Sequence, residues 1–172
     1  MKKIKTPFKG LLIYQNKRFD DKRGFLREVF HKYIIKKNLI FSVTSSSKKN
    51  VLRGLHLQTK KSQDKYITVL KGKILDVVVD LRKKSKTFGK HYKLILDENN
   101  CKFLFIPKGF AHGFLGLGKE NIVLYSCTNY RHAQSEKSIL WNDKDLKINW
   151  GIKNPIISKK DKLASKFKDI KF

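Results

Sequence analysis

Two short segments, VLRGLHLQ at residues 51–58 and FIPKGFAHGF at 105–114, each set one histidine among glycines and aliphatic strand formers. Imidazole changes charge near neutral pH and can take up or release a proton there. His56 and His112 are therefore candidate acid–base groups. Gly54, Gly109 and Gly113 predict bulges or turns that aim side chains into a cavity rather than along a flat sheet. A strand histidine can equally be a satisfied structural residue, and spacing alone does not separate the two readings. Strict alternation along VLRGLHLQ groups His56 with Leu52, Gly54 and Gln58 and sends Arg53 to the opposite face. Both reach one cavity only if Gly54 hosts a bulge, which its missing Cβ permits.

The elements that must hold these residues read as strands: LLIYQNKRF, KYITVLKGKILDVVVDLR, KHYKLILDE, CKFLFIP and NIVLYSCTNY, bounded by Gly, Asn or Lys-rich turns. Short strands at this spacing predict an antiparallel barrel or sandwich. Within ILDVVVDL, period-two alternation puts Leu75, Val77, Val79 and Leu81 on a core face. Asp76, Val78 and Asp80 fall on a partly polar one. Helical signal is confined to FHKYIIKKNL at 30–39 and a turn or two in the lysine-rich C-terminal tail.

A chain of 172 residues, 40% hydrophobic, suits a single domain spanning 1–172 with a substantial core. It shows no linker and no internal repeat. The opening MKKIKTPFKGLLIY is basic, but Pro7 and Lys9 interrupt it and LLIY is too short for a signal core. No run approaches a membrane span. Cys101 and Cys127 make no disulfide framework, which fits a reducing cytoplasm. With 40 Lys+Arg against 14 Asp+Glu, the formal charge is +26, which raises nucleic-acid binding. The lysines, however, are spread in pairs such as Lys36-Lys37, Lys83-Lys84 and Lys159-Lys160, and no RNP, zinc-finger or helix-turn-helix signature accompanies them. A lysine-rich surface is the reading that fits, with no specific nucleic-acid partner. Such a field would still draw an anionic small-molecule substrate.

RGLHLQ, then Lys65, GKILDVVVDLRKKSKTFGK, IPKGFAHGF, LYSCTNY, WND at 141–143 and SKKD at 158–161 appear in this order. Together they resemble the nucleotide-sugar epimerases typified by dTDP-4-dehydrorhamnose 3,5-epimerase. The resemblance runs from RGF at 23–25 through Asp161. It implies an all-β, cupin-type jelly-roll barrel with a few short peripheral helices, a homodimer, and no cofactor. It also implies inversion of configuration beside the ketone of a nucleotide-linked keto-deoxysugar.

In a 4-keto sugar the carbonyl acidifies the hydrogens on C3 and C5. Epimerisation then needs a base on one face, an acid on the other, and a cation or donor at the enolate oxygen. By the resemblance, His56 is the base, and Asp161 is the carboxylate that receives its other N–H. Without the SKKD match, Asp161 would read as a solvated acid in a basic tail. Tyr125 matches the proton donor, with Tyr130 its nearby competitor; a phenol titrates near 10 and is protonated at rest. Lys65 matches the lysine at the enolate oxygen. His112, Arg23, Glu28 and Arg53 match substrate-contacting positions, the arginines suiting phosphate because their planar fork binds two oxygens. Glu136 and Lys160 match further contacts.

Two departures stand out. Where the family commonly carries a polar Gln-x-Asn set, this chain has Phe41, Ser42 and Val43; where it has a tyrosine stacking on thymine, this chain has Arg131, with Tyr130 one position early. A guanidinium plane can also stack on a base. Epimerisation of a different nucleotide-linked keto sugar, or at C3 only, is the alternative within the family. A cupin holding metal with His56, His112 and a carboxylate is the alternative of another class, as is a non-catalytic sugar-binding module. Metal cupins bring two histidines together on one strand and neither motif here does, so no metal ligands are assigned. Activity is accordingly expected to survive exhaustive EDTA treatment, checked by assay and elemental analysis; loss restored by added metal would favour the triad.

Overall fold

The computed structural model describes residues 2–170. One sheet runs in the order β1 (Lys2–Lys5), β2 (Leu12–Gln15), β10 (Lys102–Ile106), β7 (Lys65–Lys71), β12 (Glu120–Cys127) and β5 (Phe41–Lys48). The other runs β13 (Glu136–Ser138), β6 (Leu52–Gln58), β11 (Phe110–Gly116), β8 (Lys73–Asp80) and β9 (His91–Asp97). A separate hairpin joins β3 (Phe19–Asp21) to β4 (Gly24–Leu26). All pairings within the sheets are antiparallel.

Alternation decides what fills each layer. Ile67, Val69, Leu104 and Val123 of the six-stranded sheet meet Ile74, Val78, Phe110 and Phe114 of the five-stranded sheet in the central core. The two sheets therefore face each other as a cupin-type jelly roll. A second apolar layer lies outside the five-stranded sheet, where Leu55, Leu57, Val77 and Val79 are covered by Ile139, Leu146 and Trp150 of the C-terminal segment. A third lies outside the six-stranded sheet, where Tyr66, Phe103 and Phe105 pack with Ile35.

Because the C-terminal segment covers the outside of β8, both faces of that strand are buried. Its partly polar face is the inner one: Asp76 is 1% exposed and Asp80 is fully enclosed. The helix expected over 30–39 shrinks to one turn, α1 (Lys32–Ile35), which stops where Lys36 takes a left-handed φ of 51°. It has no side-chain N-cap hydrogen bond and no acidic residue in its first turn, so little local stabilisation extends it. The tail supplies α2 (Lys159–Lys162) and a 3-10 turn at Phe167–Asp169, as expected. β5 is the main unanticipated strand, serine-rich at the sheet edge; Ser42 Oγ and Ser126 Oγ lie 2.9 Å apart across it and β12.

The glycine in RGLHLQ does what the reading of that motif required. From Arg53 to His56, β6 uses three steps where β11 uses two, from Phe114 to His112. This bulge turns Arg53 and His56 toward the same interior while Leu52, Leu55 and Leu57 keep to the outer layer. Gly54 sits at φ +114°, and a Cβ there would lie 2.5 Å from Gly113 Cα and 2.7 Å from the His112 carbonyl oxygen. Gly54→Ala is expected to cost more than about 2 kcal/mol in denaturant titration, strain and clash combined. Gly24→Ala, at φ +132° with nothing within 4 Å of its Cβ, serves as the control for backbone strain alone and should cost less.

Candidate active site

A cavity of about 530 Å³ opens between the sheets. His56 enters it from β6, His112 from β11, Lys65 from β7 and Tyr125 from β12, while Asp161 closes it from α2. His56 and His112 are direct cross-strand partners. Their strands thus bring together two histidines that stand far apart in sequence.

His56 Nε2 donates to Asp161 Oδ1 at 2.6 Å. Asp161 is 3% exposed and is fixed by the turn it belongs to, its N–H donating to Ser158 Oγ at 3.1 Å. Burial opposes its charged form. The hydrogen bond and charge of His56, the Ser158 hydroxyl and the Gly54 N–H outweigh burial and hold its carboxyl below the usual range. A carboxylate can only accept, so Nε2 carries a proton, and in the neutral ring Nδ1 is the nitrogen with the lone pair.

The opposite sheet supplies the other groups. Lys65, first residue of β7, has its ammonium pulled down by withdrawal from water, with partial offset from Cys127, Glu136 and Asp76. Tyr125 is pushed far above the ordinary phenol value by burial and by Asp76; the Ser45 hydroxyl and Arg53 guanidinium only partly oppose this. Its ring meets His112 edge-on at 6.0 Å. Tyr130 is 62% exposed and packs on Phe41 at 5.9 Å, so the interior phenol is Tyr125.

The sequence reading missed Asp76 and Cys127 as members of this site. Asp76 Oδ2 accepts from His112 Nε2 at 2.8 Å, a second histidine–carboxylate pair. Its signal was present in ILDVVVDL, whose alternation placed an acid on the face opposite Val77. Cys127 lines the cavity two residues beyond Tyr125, in register with Lys65.

At the mouth, Glu136 Oε2 accepts from Arg131 Nη2 at 2.8 Å and from Lys160 Nζ at 2.7 Å. Burial would raise the Glu136 carboxyl, but these two cations bring it from 4.5 to about 2. Arg53 donates through Nε to Ser47 Oγ at 2.9 Å and through Nη2 to the Ser46 carbonyl at 3.0 Å. Phe41 and Val43 line the cavity. Arg23 and Glu28 do not: Arg23 is an exposed residue paired with Asp21 at 2.6 Å, and Glu28 accepts from Asn16 Nδ2 at 3.1 Å. Among the described residues, no three His, Cys, Asp or Glu side chains group as a metal-ligand set, and no helix is long and apolar enough to cross a membrane.

Comparison with known proteins gives concordant results. A family model described as dTDP-4-dehydrorhamnose 3,5-epimerase matches residues 5–169. The dTDP-4-dehydrorhamnose 3,5-epimerase of Shigella flexneri is 40% identical over 176 residues, covering 98% of this chain and 97% of that one. The crystal structure of dTDP-6-deoxy-D-glucose-3,5-epimerase from Legionella pneumophila, in complex with dTDP-4-keto-L-rhamnose, superposes with a TM-score of 0.94 at 37% identity, over 99% of this chain and 94% of that one. The dTDP-4-dehydrorhamnose 3,5-epimerase of Bacillus anthracis, with TDP and PPi bound, gives 0.92 at 38% identity, over 96% and 99%.

The Glu136 cluster has a pH signature. Its folded pKa is depressed, so its contribution to stability is full above about pH 5 and is lost as pH falls from 4.5 toward 2. Glu136→Gln is expected to destabilise by about 1–2 kcal/mol at pH 7, since its partners are half-exposed and screened. In denaturant titrations at several pH values, that difference should shrink toward zero near pH 2.

Proposed function

Because the chain belongs to the dTDP-4-dehydrorhamnose 3,5-epimerase family, we propose that it inverts C3 and C5 of a dTDP-4-keto-6-deoxyhexose in this cavity, with His56 as base and Tyr125 as acid. It is an isomerase of deoxysugar biosynthesis of the rhamnose type. The observation that carries the residue roles is their placement on opposite walls. His56 projects from the five-stranded sheet and Tyr125 from the six-stranded one. A sugar ring held between the sheets presents one face to each.

His56 Nδ1 takes the proton from C3 or C5, and the electron pair of the broken C–H bond moves to the C4 oxygen as an enolate. Asp161 steadies the imidazolium that forms. The Lys65 ammonium, in a cavity drier than bulk water, stabilises the enolate oxygen more than the ketone. Tyr125 then delivers its proton to the same carbon from the other face, and the ketone re-forms. The resulting phenolate regains a proton and the imidazolium releases one to solvent, which resets both groups. The upward displacement of the Tyr125 phenol suits this order, because it keeps the proton until a carbanion, a much stronger base than water, is formed.

The second copy of a homodimer is supported by Arg23 and Glu28. The family resemblance makes both substrate contacts, yet neither lines the cavity of its own chain. The hairpin that carries Arg23, with Glu28 two residues beyond it, exposes Phe19, Phe25 and Leu26, an apolar patch that a partner would cover. Arg23 and Glu28 would then serve the partner's cavity. Buried free thiols at Cys101 and Cys127 fit a cytoplasmic setting.

A second reading, the same chemistry on another nucleotide, is favoured by Phe41, Val43 and Arg131. Two cavity positions lack side-chain hydrogen bonding, and Arg131 is bound to Glu136. Titration of dTDP, UDP, GDP and CDP decides between them: tighter binding of dTDP supports the thymidine substrate, and equal or tighter binding of another supports the second reading.

With dTDP-4-keto-6-deoxyglucose in heavy water, wild type is expected to place deuterium at C3 and C5. His56→Ala should lose about 10² to 10⁴ in exchange rate at both carbons with the fold retained, and near-normal exchange would remove His56 from the base role. Tyr125→Phe should wash deuterium into substrate while giving little inverted product. If Tyr130→Phe behaves so instead, the two tyrosines exchange roles.

A further inference from the structure

Asp76 stands apart from the acids discussed so far. Its Oδ2 is satisfied by His112, but its Oδ1 is buried without a hydrogen-bond partner, on a side chain almost wholly withdrawn from water. A carboxylate so placed is costly unless nearby charge compensates it. Along its own sheet its register partners are Phe114 on β11 and Leu94 on β9, neither of which carries charge. Within the sheet only His112, at Oδ2, can offset its charge; any other compensation comes across the cavity. The groups that feel it there are the Lys65 ammonium on β7 and the Tyr125 phenol on β12.

Resting on the epimerase reading above, we propose that Asp76 is a positioning residue: Oδ2 holds the His112 ring in place, and the unpartnered Oδ1 sets the charge state of Lys65 and Tyr125 together. One negative charge acts on both in the sense the reaction needs. It favours the ammonium, which must be charged to hold an enolate oxygen, and it disfavours the phenolate, so the acid keeps its proton. Burial alone would push the two apart, discharging Lys65 while keeping Tyr125 protonated. Asp76 opposes burial at the first and adds to it at the second. The other charged or titratable groups facing this pair are Glu136 and Cys127 around Lys65, and Arg53, Cys127 and the edge-on His112 ring around Tyr125. Cys127 also raises both, but only as a thiolate, a form its burial disfavours, while Glu136 acts on Lys65 alone and Arg53 lowers Tyr125; Asp76 is the one carboxylate that raises both.

The test is the pH dependence of inversion from pH 6 to 10 in wild type, Asp76→Asn and Asp76→Glu. Removing the charge should move the alkaline limb of kcat about one pH unit toward acid. Near pH 9 the Asn variant should then lose 10-fold to 100-fold, with a smaller loss near pH 6 and KM changed less than about 3-fold. Asp76→Glu should restore the limb in part. A uniform loss at every pH, or a profile that coincides with wild type, would overturn the role. If melting shows that Asp76→Asn does not fold, Asp76→Ser, which also removes the charge, decides: an unmoved limb there would overturn the proposal. Absence of exchange by wild type would overturn this role and the epimerase reading together. An active wild type with an unmoved limb in the neutral variants overturns the Asp76 role alone.

Discussion

The hydrogen bond of 2.6 Å between His56 and Asp161 joins parts of the chain separated by 105 positions, and the rest of the site is arranged around it. It selects one tautomer of the imidazole and leaves one nitrogen free for the cavity. Two features of the fold make it possible. The bulge at Gly54 turns His56 inward on a strand that otherwise gives its apolar residues to the outer layer. The C-terminal segment, laid across the outside of the five-stranded sheet through Ile139, Leu146 and Trp150, brings α2 to the cavity edge. Gly54 contributes at both points, since its φ permits the bulge and its N–H also favours the Asp161 carboxylate.

The barrel separates two electrostatic regimes. Outside, 40 Lys+Arg stand against 14 Asp+Glu, mostly where water screens them within about 10 Å. Inside, a few titratable groups sit where burial matters more than screening. There Lys65 is driven down and Tyr125 up by the same loss of water, and each histidine is tied to its own carboxylate. The two sheets form the facing walls of the cavity and the C-terminal segment closes its edge, so the proposed base and acid, His56 and Tyr125, stand on opposing walls backed by separate cores. A base and an acid on one wall could exchange a proton at one face of a sugar but could not invert a centre between them.

Much of this was legible in the sequence. The strand pattern located the elements that carry His56, Lys65 and Tyr125, and the glycine in RGLHLQ announced the bulge; β11, which carries His112, was legible only as a stretch of strand formers among glycines. Asp161 was not legible from composition, because an acid in a lysine-rich tail has no local signal; only the family resemblance singled it out, and its burial depends on tertiary packing of the C-terminal segment. Asp76 was visible as the acid on the polar face of β8, but alternation cannot say which face lies inside a barrel when both are buried. β5 escaped notice because serines mask its pattern, and its hydrogen bonds to β12 are long-range. The helix expected over 30–39 failed for lack of caps. Arg23 and Glu28 mark a further limit, since the substrate contacts that the resemblance assigns them lie outside their own cavity and depend on the proposed second copy.

The central claim is that Asp161 fixes His56 with Nε2 protonated and Nδ1 bare toward the cavity. ¹⁵N NMR of the histidine side chains, with His56 assigned by its absence in His56→Ala, reads this directly in the ligand-free protein. The account predicts a neutral-ring spectrum at pH 8 in which Nε2 has the shift of a protonated nitrogen and Nδ1 that of a bare one, with the pattern lost in Asp161→Asn. A His56 ring protonated at Nδ1, or a tautomer mixture unchanged by Asp161→Asn, would contradict it.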